Sequence, residues 1–482
     1  MASSQRSQIL AALASVFGDS ASHLGSAEHE NEVKHAFVAR PKNVEQVQGL
    51  VRALRPLVLS GDCKLAIRNS GNRGDYFPGS ASANVQEEVT IDTRRIKGIK
   101  LSDDQSAVEI GAGERWSPVY AKLREYGLVV AGSPDGDAGV AGFLLSGGLS
   151  ILSGKTGFAC DSVVEFQVVL ASGEVVRANA EEHADLWRSL KGGLNNFGIV
   201  TSFKMKVFKS RRIWGGTAYY SPEAFMELVH WACVFAEDDS DEHANISCCI
   251  DYRFGEKEAW CEMYHTRGRA YPPSLMPFME TQPQIEEDCT VQISTQLKLS
   301  NDWSNAIKFE STNPRHLSAS ITIKGCMVSV LEDVYEEWEN TLEELKHIIG
   351  FSFTLGFMPL TKSMLKNSAE AGGNAMAIPP SDGPLFLAVV DTVWPKPKYD
   401  NLVFEEIENL MAACRRLVGG KGHLHRFIHA SYAHHEDDVI AGYGRESVSR
   451  LRETSKRYDP EGVFQKGTPG GFKLLHHYPV LP

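Results

Sequence analysis

Glycine placement constrains this chain more than any other feature of its sequence. Three glycine clusters fall between Val129 and Val200: VVAGSPDGDAGVAG ending at Gly142, LLSGGLSILSG ending at Gly154, and GGLNNFGIVT beginning at Gly192. They sit on strand-and-turn scaffolding. Glycine at a strand end lets backbone N–H groups approach a ligand that a Cβ would hold off. Converging N–H groups of this kind hold anions, phosphates above all. Between the second and third clusters, Val163–Arg177 (VVEFQVVLASGEVVR) reads as a hairpin whose Gly173 supplies the positive φ of the turn. One glycine turn means little; three so close together point to an anionic cofactor.

Two nucleotide signatures nearly fit and fail. Gly148–Thr156 ends in Gly154-Lys155-Thr156 like a P-loop, but Gly148 stands one residue too far upstream, and the spacer length sets the loop's curvature around a phosphate. Gly111-Ala112-Gly113 follows a strand pattern and precedes a helix pattern (WSPVYAKLREYG). The third glycine of a dinucleotide fingerprint is replaced there by Trp116, which argues against a nicotinamide Rossmann enzyme.

A chain of 482 residues is too long for one core, so two or three domains are expected. Its 61 acidic against 49 basic residues give a net charge of −12, which disfavours nucleic acid or an anionic membrane as the main partner. Nine cysteines, an odd number without metal spacing, suit reduced thiols and a cytoplasmic location. Ile9–Gly18 (ILAALASVFG) could be a short signal-peptide core, but its helical apolar spacing fits a surface-docking amphipathic helix better. No run approaches the roughly 18 apolar residues of a membrane span.

Taken in order, Ala36–Leu54 reads as strand, turn and amphipathic helix, and Lys64–Arg68, Val89–Asp92 and Ala107–Gly111 read as further strands. From Arg212 to about Gly420 the texture changes. Long apolar strands (ISCCIDYRF, AWCEMYHT, LSASITIKG, LFLAVVDTVW) alternate with amphipathic helices such as Val330–Ile349, the pattern of an antiparallel sheet covered by helices.

Arg68–Arg73, the three glycine clusters and the C-terminal KRYDPEGVFQKGTPGGFKL together resemble the berberine-bridge-enzyme-like FAD-linked oxidases, of the vanillyl-alcohol-oxidase/p-cresol-methylhydroxylase superfamily and of fungal flavour. The resemblance covers roughly Val33–Val207 and His425–Leu474; the middle matches in texture only. It implies an α+β fold in two parts, a p-cresol-methylhydroxylase-type FAD domain and a substrate domain whose antiparallel sheet covers the flavin. The implied division is a helical extension over 1–28, an FAD-binding domain over 29–210, a substrate domain over 211–424, and a returning segment over 425–482.

Carried over position by position, Arg68, Asn69, Ser70, Gly71, Asn72 and Arg73 would lie under the FAD pyrophosphate. Ser133, Pro134, Asp137, Ala138, Gly139, Val140 and Gly142 would line pyrophosphate and flavin, with Gly147 and Gly148 beside them. Gly157, Cys160 and Asp161 look like the next cofactor-contacting turn. Asn195, Phe197, Gly198, Ile199 and Val200 would hold the adenosine end through the main chain. Tyr432 would stand beside the ring.

Departures from the family pattern matter as much. The His that many members use to tether flavin is Asn72 here, and the Cys of bicovalent members is Asp135, so the FAD is expected to be noncovalent. Ala138 occupies the oxygen-gate position, and its small size is permissive for O₂. Ser431 replaces the Asn of the family's Asn-Tyr element. Within FIHASYA an extended backbone would put His429 and Tyr432 on opposite faces, and Tyr432 is then the preferred proton-transfer group, with His429 as the other candidate. Cys160 is more ordinarily a packing thiol, Cys248 and Cys249 point to opposite faces of a strand, and the histidines from His423 to His435 fit no zinc template, so no metal is expected.

The expected function is an FAD-dependent oxidoreductase acting on a small or medium secondary metabolite, with hydride passing to flavin and O₂ reoxidising it. A redox-neutral cyclase or isomerase with structural FAD is the alternative, and a non-catalytic flavin-binding scaffold is a third reading.

Overall fold

The computed structural model describes residues 3–18, 37–69, 89–306 and 315–475. The helix Ser3–Phe17 docks through Ile9 and Leu13 onto the helix Val44–Leu59, whose cap Asn43 accepts a bond from Gln46 N–H. Beneath these helices lies a small parallel sheet in the order Phe37–Ala39, Val89–Asp92, Leu65–Arg68.

A second sheet is antiparallel. It runs Ile99–Leu101, Ala107–Gly111, Ile199–Lys209, Val163–Val169, Val175–Asn179, with Leu128–Val130 added to the long Ile199–Lys209 strand. The hairpin read from the glycine at 173 is present, and Gly173 sits at φ +78°.

The third sheet has nine strands, all antiparallel, centred on Glu256–His265, Ala244–Arg253, Ser352–Leu360, Leu385–Trp394 and Arg315–Lys324. Alternation along these strands divides its two faces. Cys248, Cys261, Phe353, Phe357 and Val390 face a core shared with the helices Phe225–Asp238, Val328–Leu345 and Asp400–Gly420. Tyr264, Leu387 and Val389 point the other way, into the core of the second sheet. The large sheet is therefore held between its helices on one side and the glycine-rich half of the chain on the other. Burial on both faces explains its near-continuous apolar strands.

The C-terminal segment returns to the first half through buried polar contacts. Asn196 Nδ2 donates to the carbonyls of Gly193 and Phe472 at 3.0 and 2.9 Å, and Gln465 Nε2 donates to Asn196 Oδ1 at 3.0 Å. Lys473 Nζ donates to Asn195 Oδ1 and to the Phe464 carbonyl. Val463 and Phe464 join the core under the parallel sheet.

One expectation about backbone shape is overturned. FIHASYA is not an extended strand at its end: Ala430–Tyr432 forms a 3₁₀ turn, with Tyr432 N–H donating to the His429 carbonyl at 2.9 Å. His429 caps that turn, its Nδ1 accepting from Ser431 N–H. The local side chain-to-backbone bond wins over strand pairing, and the His429 and Tyr432 rings come together, centroids 5.2 Å apart, instead of facing apart.

Asn196 is bonded to two parts of the returning segment, Gln465 and Phe472. Asn196→Ala leaves the Gly193 and Phe472 carbonyls without their buried donor, while Gln465 Nε2 keeps the main-chain carbonyl of residue 196, and is expected to cost about 2–4 kcal/mol. The check is a drop in the urea midpoint at unchanged slope.

Candidate functional site at the junction of two sheets

The loop from Ala131 to Leu149 forms one wall. Beneath it Trp116 is fully buried, and Tyr120 Oη donates to the Ser133 carbonyl at 2.6 Å. A Cβ at Gly132 would fall 2.4 Å from the Trp116 ring, so only glycine lets the chain pass over the indole. Main-chain bonds Trp116 N–H to Ala138 O and Val140 N–H to Glu114 O fix the loop's path, and the short helix Val140–Leu145 starts at Gly139. Asp135 is tied back from the wall: Oδ1 accepts from Asp137 N–H at 2.9 Å and from Ser304 Oγ at 2.7 Å.

Gly142 has open space where a Cβ would stand, while Gly147 and Gly148 take φ of +102° and +73°. A Cβ on Gly147 would meet Met376 Sδ at 2.9 Å and face His429 Nε2 at 3.7 Å. Ser146 Oγ and Ser431 Oγ are hydrogen-bonded at 2.8 Å, joining this wall to the C-terminal turn. The glycine loop, Met376 from the middle of the chain, and the His429–Tyr432 turn thus meet at one place. Tyr432 is half-buried there, and Ser431 exposed.

His429 is 1% exposed and packed against Phe158 and Phe427. Burial pushes its pKa down to about 4, so the ring is neutral at ordinary pH. With Nδ1 accepting from Ser431, the hydrogen-bond network assigns the proton to Nε2. Nε2 has no partner among the described residues, so a buried donor remains available beside Gly147.

The remaining predicted positions divide. Arg68 and Asn69 stand at the C-terminal end of the parallel strand Leu65–Arg68, where Thr93 Oγ1 donates to Asn69 Oδ1 at 2.6 Å. Ser70, Gly71, Asn72 and Arg73 lie outside the described residues. Asp137 is 3.9 Å from the Arg115 guanidinium, while Pro134 and Ala138 are only partly buried along the loop. Gly157 takes φ +77°, and a Cβ there would strike Asp161 and Ser368, so the position requires glycine. Asp161 itself is buried, accepts from Phe158 N–H and Asn374 Nδ2, and is pushed up to about 6 by burial. Lys191, lowered to about 8 by burial, lies 3.5 Å over the Trp187 ring and donates to the Ala371 carbonyl. Burial and the nearby Asp161 carboxylate raise the Cys160 thiol, so it is an inert packing group. Asn195 spends its side chain on Gly470 O and Lys473. Phe197 is fully buried, Gly198 allows close approach to Val168 and Val169, and Ile199 and Val200 pair with Val169 and Val168. Their side chains serve packing.

One acidic residue was missed. Glu262 is on the face of the large sheet that carries Tyr264, the face turned toward the glycine-rich half. Burial pushes its carboxyl up to about 7 against a hydrogen bond from Trp303 Nε1. A charged residue inside the apolar run AWCEMYHT was the available signal. Among the described residues, one group could converge on a metal: Glu408, His434 and Glu436, within 4.8 Å of one another. Two of these are exposed carboxylates, and Arg415 already places positive charge beside His434.

Comparison with known proteins shows the class of enzyme. Residues 35–179 match the FAD binding domain family. The FAD-dependent monooxygenase tpcD of Cochliobolus heterostrophus is 29% identical over 95% of this chain and 88% of its own length. The FAD-dependent monooxygenase CTB5 of Cercospora nicotianae is 26% identical over 92% of this chain and 97% of its own. Among solved structures, xylooligosaccharide oxidase from Myceliophthora thermophila superposes with a TM-score of 0.75 at 18% identity, over 98% of this chain and 100% of that one. Physcomitrella patens BBE-like 1 does so with a TM-score of 0.72 at 20% identity, over 98% and 100%. The chain is an FAD-linked oxidoreductase with the fold of the p-cresol-methylhydroxylase-type FAD oxidases.

The neutral His429 gives a pH-dependent stability with a defined sign. Its folded pKa near 4 lies below the ordinary value of 6.5, so below pH 6.5 the unfolded chain takes up a proton that the native state refuses. Stability contributed above pH 6.5 is lost as pH falls toward 4, by about 1–3 kcal/mol for this residue. His429→Asn keeps a cap acceptor and removes that share, so the pH dependence of its urea midpoint should be shallower between pH 6.5 and 4.

Proposed function

We propose that the enzyme binds FAD without a covalent bond and oxidises a small or medium secondary metabolite, using dioxygen as the final acceptor. The observation that carries this reading is the meeting of Gly147-Gly148, the buried Nε2–H of His429, and Tyr432 at the junction between the FAD binding domain and the large sheet. A backbone stripped of Cβ atoms and an orphaned buried donor suit a flat, polar-edged ring system. Val140 N–H is spent on the Glu114 carbonyl, and the N–H groups of Ala141 and Gly142 that follow it lack intrahelical partners and suit phosphate or flavin oxygens. Arg68 and Asn69, at the carboxyl end of a parallel strand, suit the pyrophosphate.

Bound FAD supplies the hydride acceptor. The chain's own residues orient and exclude water. Tyr432 serves as hydrogen-bond donor to the substrate oxygen on which charge develops, a role its neutral phenol fills without a lowered pKa. His429, neutral and buried, holds the turn that presents Tyr432 and offers its Nε2–H toward the cofactor wall. The relatives' names as monooxygenases and the structural neighbours' as oxidases support redox turnover over a redox-neutral isomerisation. They also support the use of dioxygen. Among the described residues no helix is long and apolar enough to cross a membrane, and all nine cysteines are free, which supports a cytoplasmic site of action.

Three measurements follow. Acid precipitation of the yellow protein is expected to leave all flavin in the supernatant, since Asn72 and Asp135 offer neither the imidazole nor the thiol of a tether; colour in the pellet would contradict this. Partly buried Ala138 leaves a route for dioxygen, so Ala138→Leu should slow reoxidation of dithionite-reduced enzyme by about tenfold or more without loss of FAD, as followed by stopped flow. Anaerobic mixing with a panel of phenolic and alcoholic polyketides should bleach the flavin with the true substrate class. Tyr432→Phe should then slow that bleaching by about 100-fold at unchanged FAD content. Product formation without bleaching would favour the redox-neutral reading instead.

A further inference from the structure

Three turns, at 124–127, 209–212 and 266–269, come together where the glycine-rich half gives way to the large sheet. Ser210 N–H donates to the Gly127 carbonyl at 3.1 Å, and Ser210 Oγ donates to the Thr266 carbonyl at 2.9 Å. The last two turns pack closely, since a Cβ on Gly268 would fall 2.7 Å from the Arg212 carbonyl oxygen. These turns carry Arg124, Arg211, Arg212, Arg267 and Arg269, all exposed. None of the five guanidiniums has an ion pair or hydrogen bond among the described residues.

A shortage of acids does not explain this, because the chain has 61 acidic residues against 49 basic ones. The carboxylates of the region have other partners. Glu125 is held by Lys122 at 2.8 Å, and Asp302 by Lys298 at 2.8 Å. Asp241 accepts from Ser274 Oγ at 2.8 Å and lies 3.5 Å from His265 Nε2, and Glu242 lies 3.5 Å from His243 Nε2. Like charges left together in this way repel one another, and a bound anion relieves the repulsion.

Beside the turns lies a cleft of about 470 Å³, lined by Arg124 and Arg211. Its floor is apolar: Tyr120, Leu128 and Ile213 are almost fully buried, and Leu297 is half-buried. The hydroxyl of Tyr120 is spent on the Ser133 carbonyl, so the ring is what faces the cleft. The walls are tied together by Gln296, whose amide accepts from Val130 N–H at 3.2 Å and donates to the Val130 carbonyl at 2.8 Å. Gly127 takes φ +67°, and a Cβ there would come within 3.0 Å of Arg211 Cγ, so glycine lets the Arg211 stem lie across the turn. An apolar hollow bordered by two guanidiniums without acid partners has a defined complement, a ligand with an apolar body and an acidic head.

We propose that this cleft binds an amphipathic anion, a carboxylate or phosphate monoester carried on an apolar chain or ring. Arg124 and Arg211 hold the acidic group, and the floor takes the apolar part. Arg212, Arg267 and Arg269 draw anions toward the opening. The site is separate from the junction of Gly147, His429 and Tyr432, none of which lines it, and the inference does not depend on the reading of that junction.

The test uses full-length, flavin-loaded protein and calorimetry with 4-phenylbutyrate, phenyl phosphate, 4-phenylbutylamine and inorganic phosphate. At least one of the two aromatic anions should bind about tenfold or more tighter than both the amine and inorganic phosphate, and the tighter one names the acidic group. Raising NaCl from about 20 mM to about 300 mM should weaken that binding several-fold, because the guanidiniums are exposed. Arg124→Gln and Arg211→Gln should each weaken it by about fivefold or more, and Leu297→Trp should do the same by filling the hollow. Arg416→Gln, which removes an exposed arginine without an ion pair on the helix Asp400–Gly420, should leave it unchanged. The flavin absorbance spectrum should not move on binding. Both arginine variants are surface substitutions, so a misfolded Leu297→Trp leaves the test intact. Absent anion binding, equal binding of the amine or of inorganic phosphate, or undiminished affinity in the two arginine variants overturns the proposal. An equal loss in Arg416→Gln overturns it as well, since net charge alone would then suffice. A perturbed flavin spectrum with unaffected arginine variants would put the ligand at the flavin instead.

Discussion

The meeting of backbone and side chain at Gly147 is the contact on which the rest depends. There a Cβ would press on Met376 Sδ at 2.9 Å and touch His429 Nε2 at 3.7 Å, and Gly147 and Gly148 both hold positive φ. Three distant stretches of chain converge at that point: the 131–149 loop, the segment carrying Met376, and the turn at 429–432. None of them would be held there by local propensity. The Ser146–Ser431 bond fixes one junction, and the Asp161–Asn374 pair fixes the other from below.

The large sheet meets that wall because both of its faces are committed. Its helices cover one face with a conventional apolar core, and the second face has only the glycine-rich half of the chain to bury against. A two-sided sheet of this kind tolerates few charges, since a carboxylate moved out of water is costly unless it is paired or titrates. Glu262 and Asp251 stand there nonetheless, and both respond by shifting upward.

The titratable groups buried below the wall behave differently. Asp161 and Lys191 are each perturbed by burial, but each is surrounded by donors or acceptors: Phe158 N–H and Asn374 for the acid, the Ala371 carbonyl and Trp187 ring for the base. Satisfied in this way, they rigidify the floor. His429 is the exception, with one nitrogen capping a turn and the other without a partner among the described residues. The contrast separates framework from site more clearly than burial alone.

The sequence by itself determined the elements and the cofactor class. Alternation in strands such as Leu385–Trp394, the Gly173 hairpin, and glycines too densely placed for ordinary turns are local signals, readable because side-chain period and φ preference act within a few residues. It also pointed to His429 and Tyr432. Their relation to each other was not legible: strand alternation set them apart, and only a cap bond from Ser431 N–H to His429 Nδ1 turned the backbone and brought the rings together. Asn195 and Gly198 show the same limit, because their partners at Gly470 and Val168 are brought near by chain return and sheet register. Glu262 was one acid among 61 until the fold placed it on an inner face beside Trp303. Periodicity says which residues share a face of an element; which element that face then meets, and whether a charge there finds a partner, is decided only when distant segments pack.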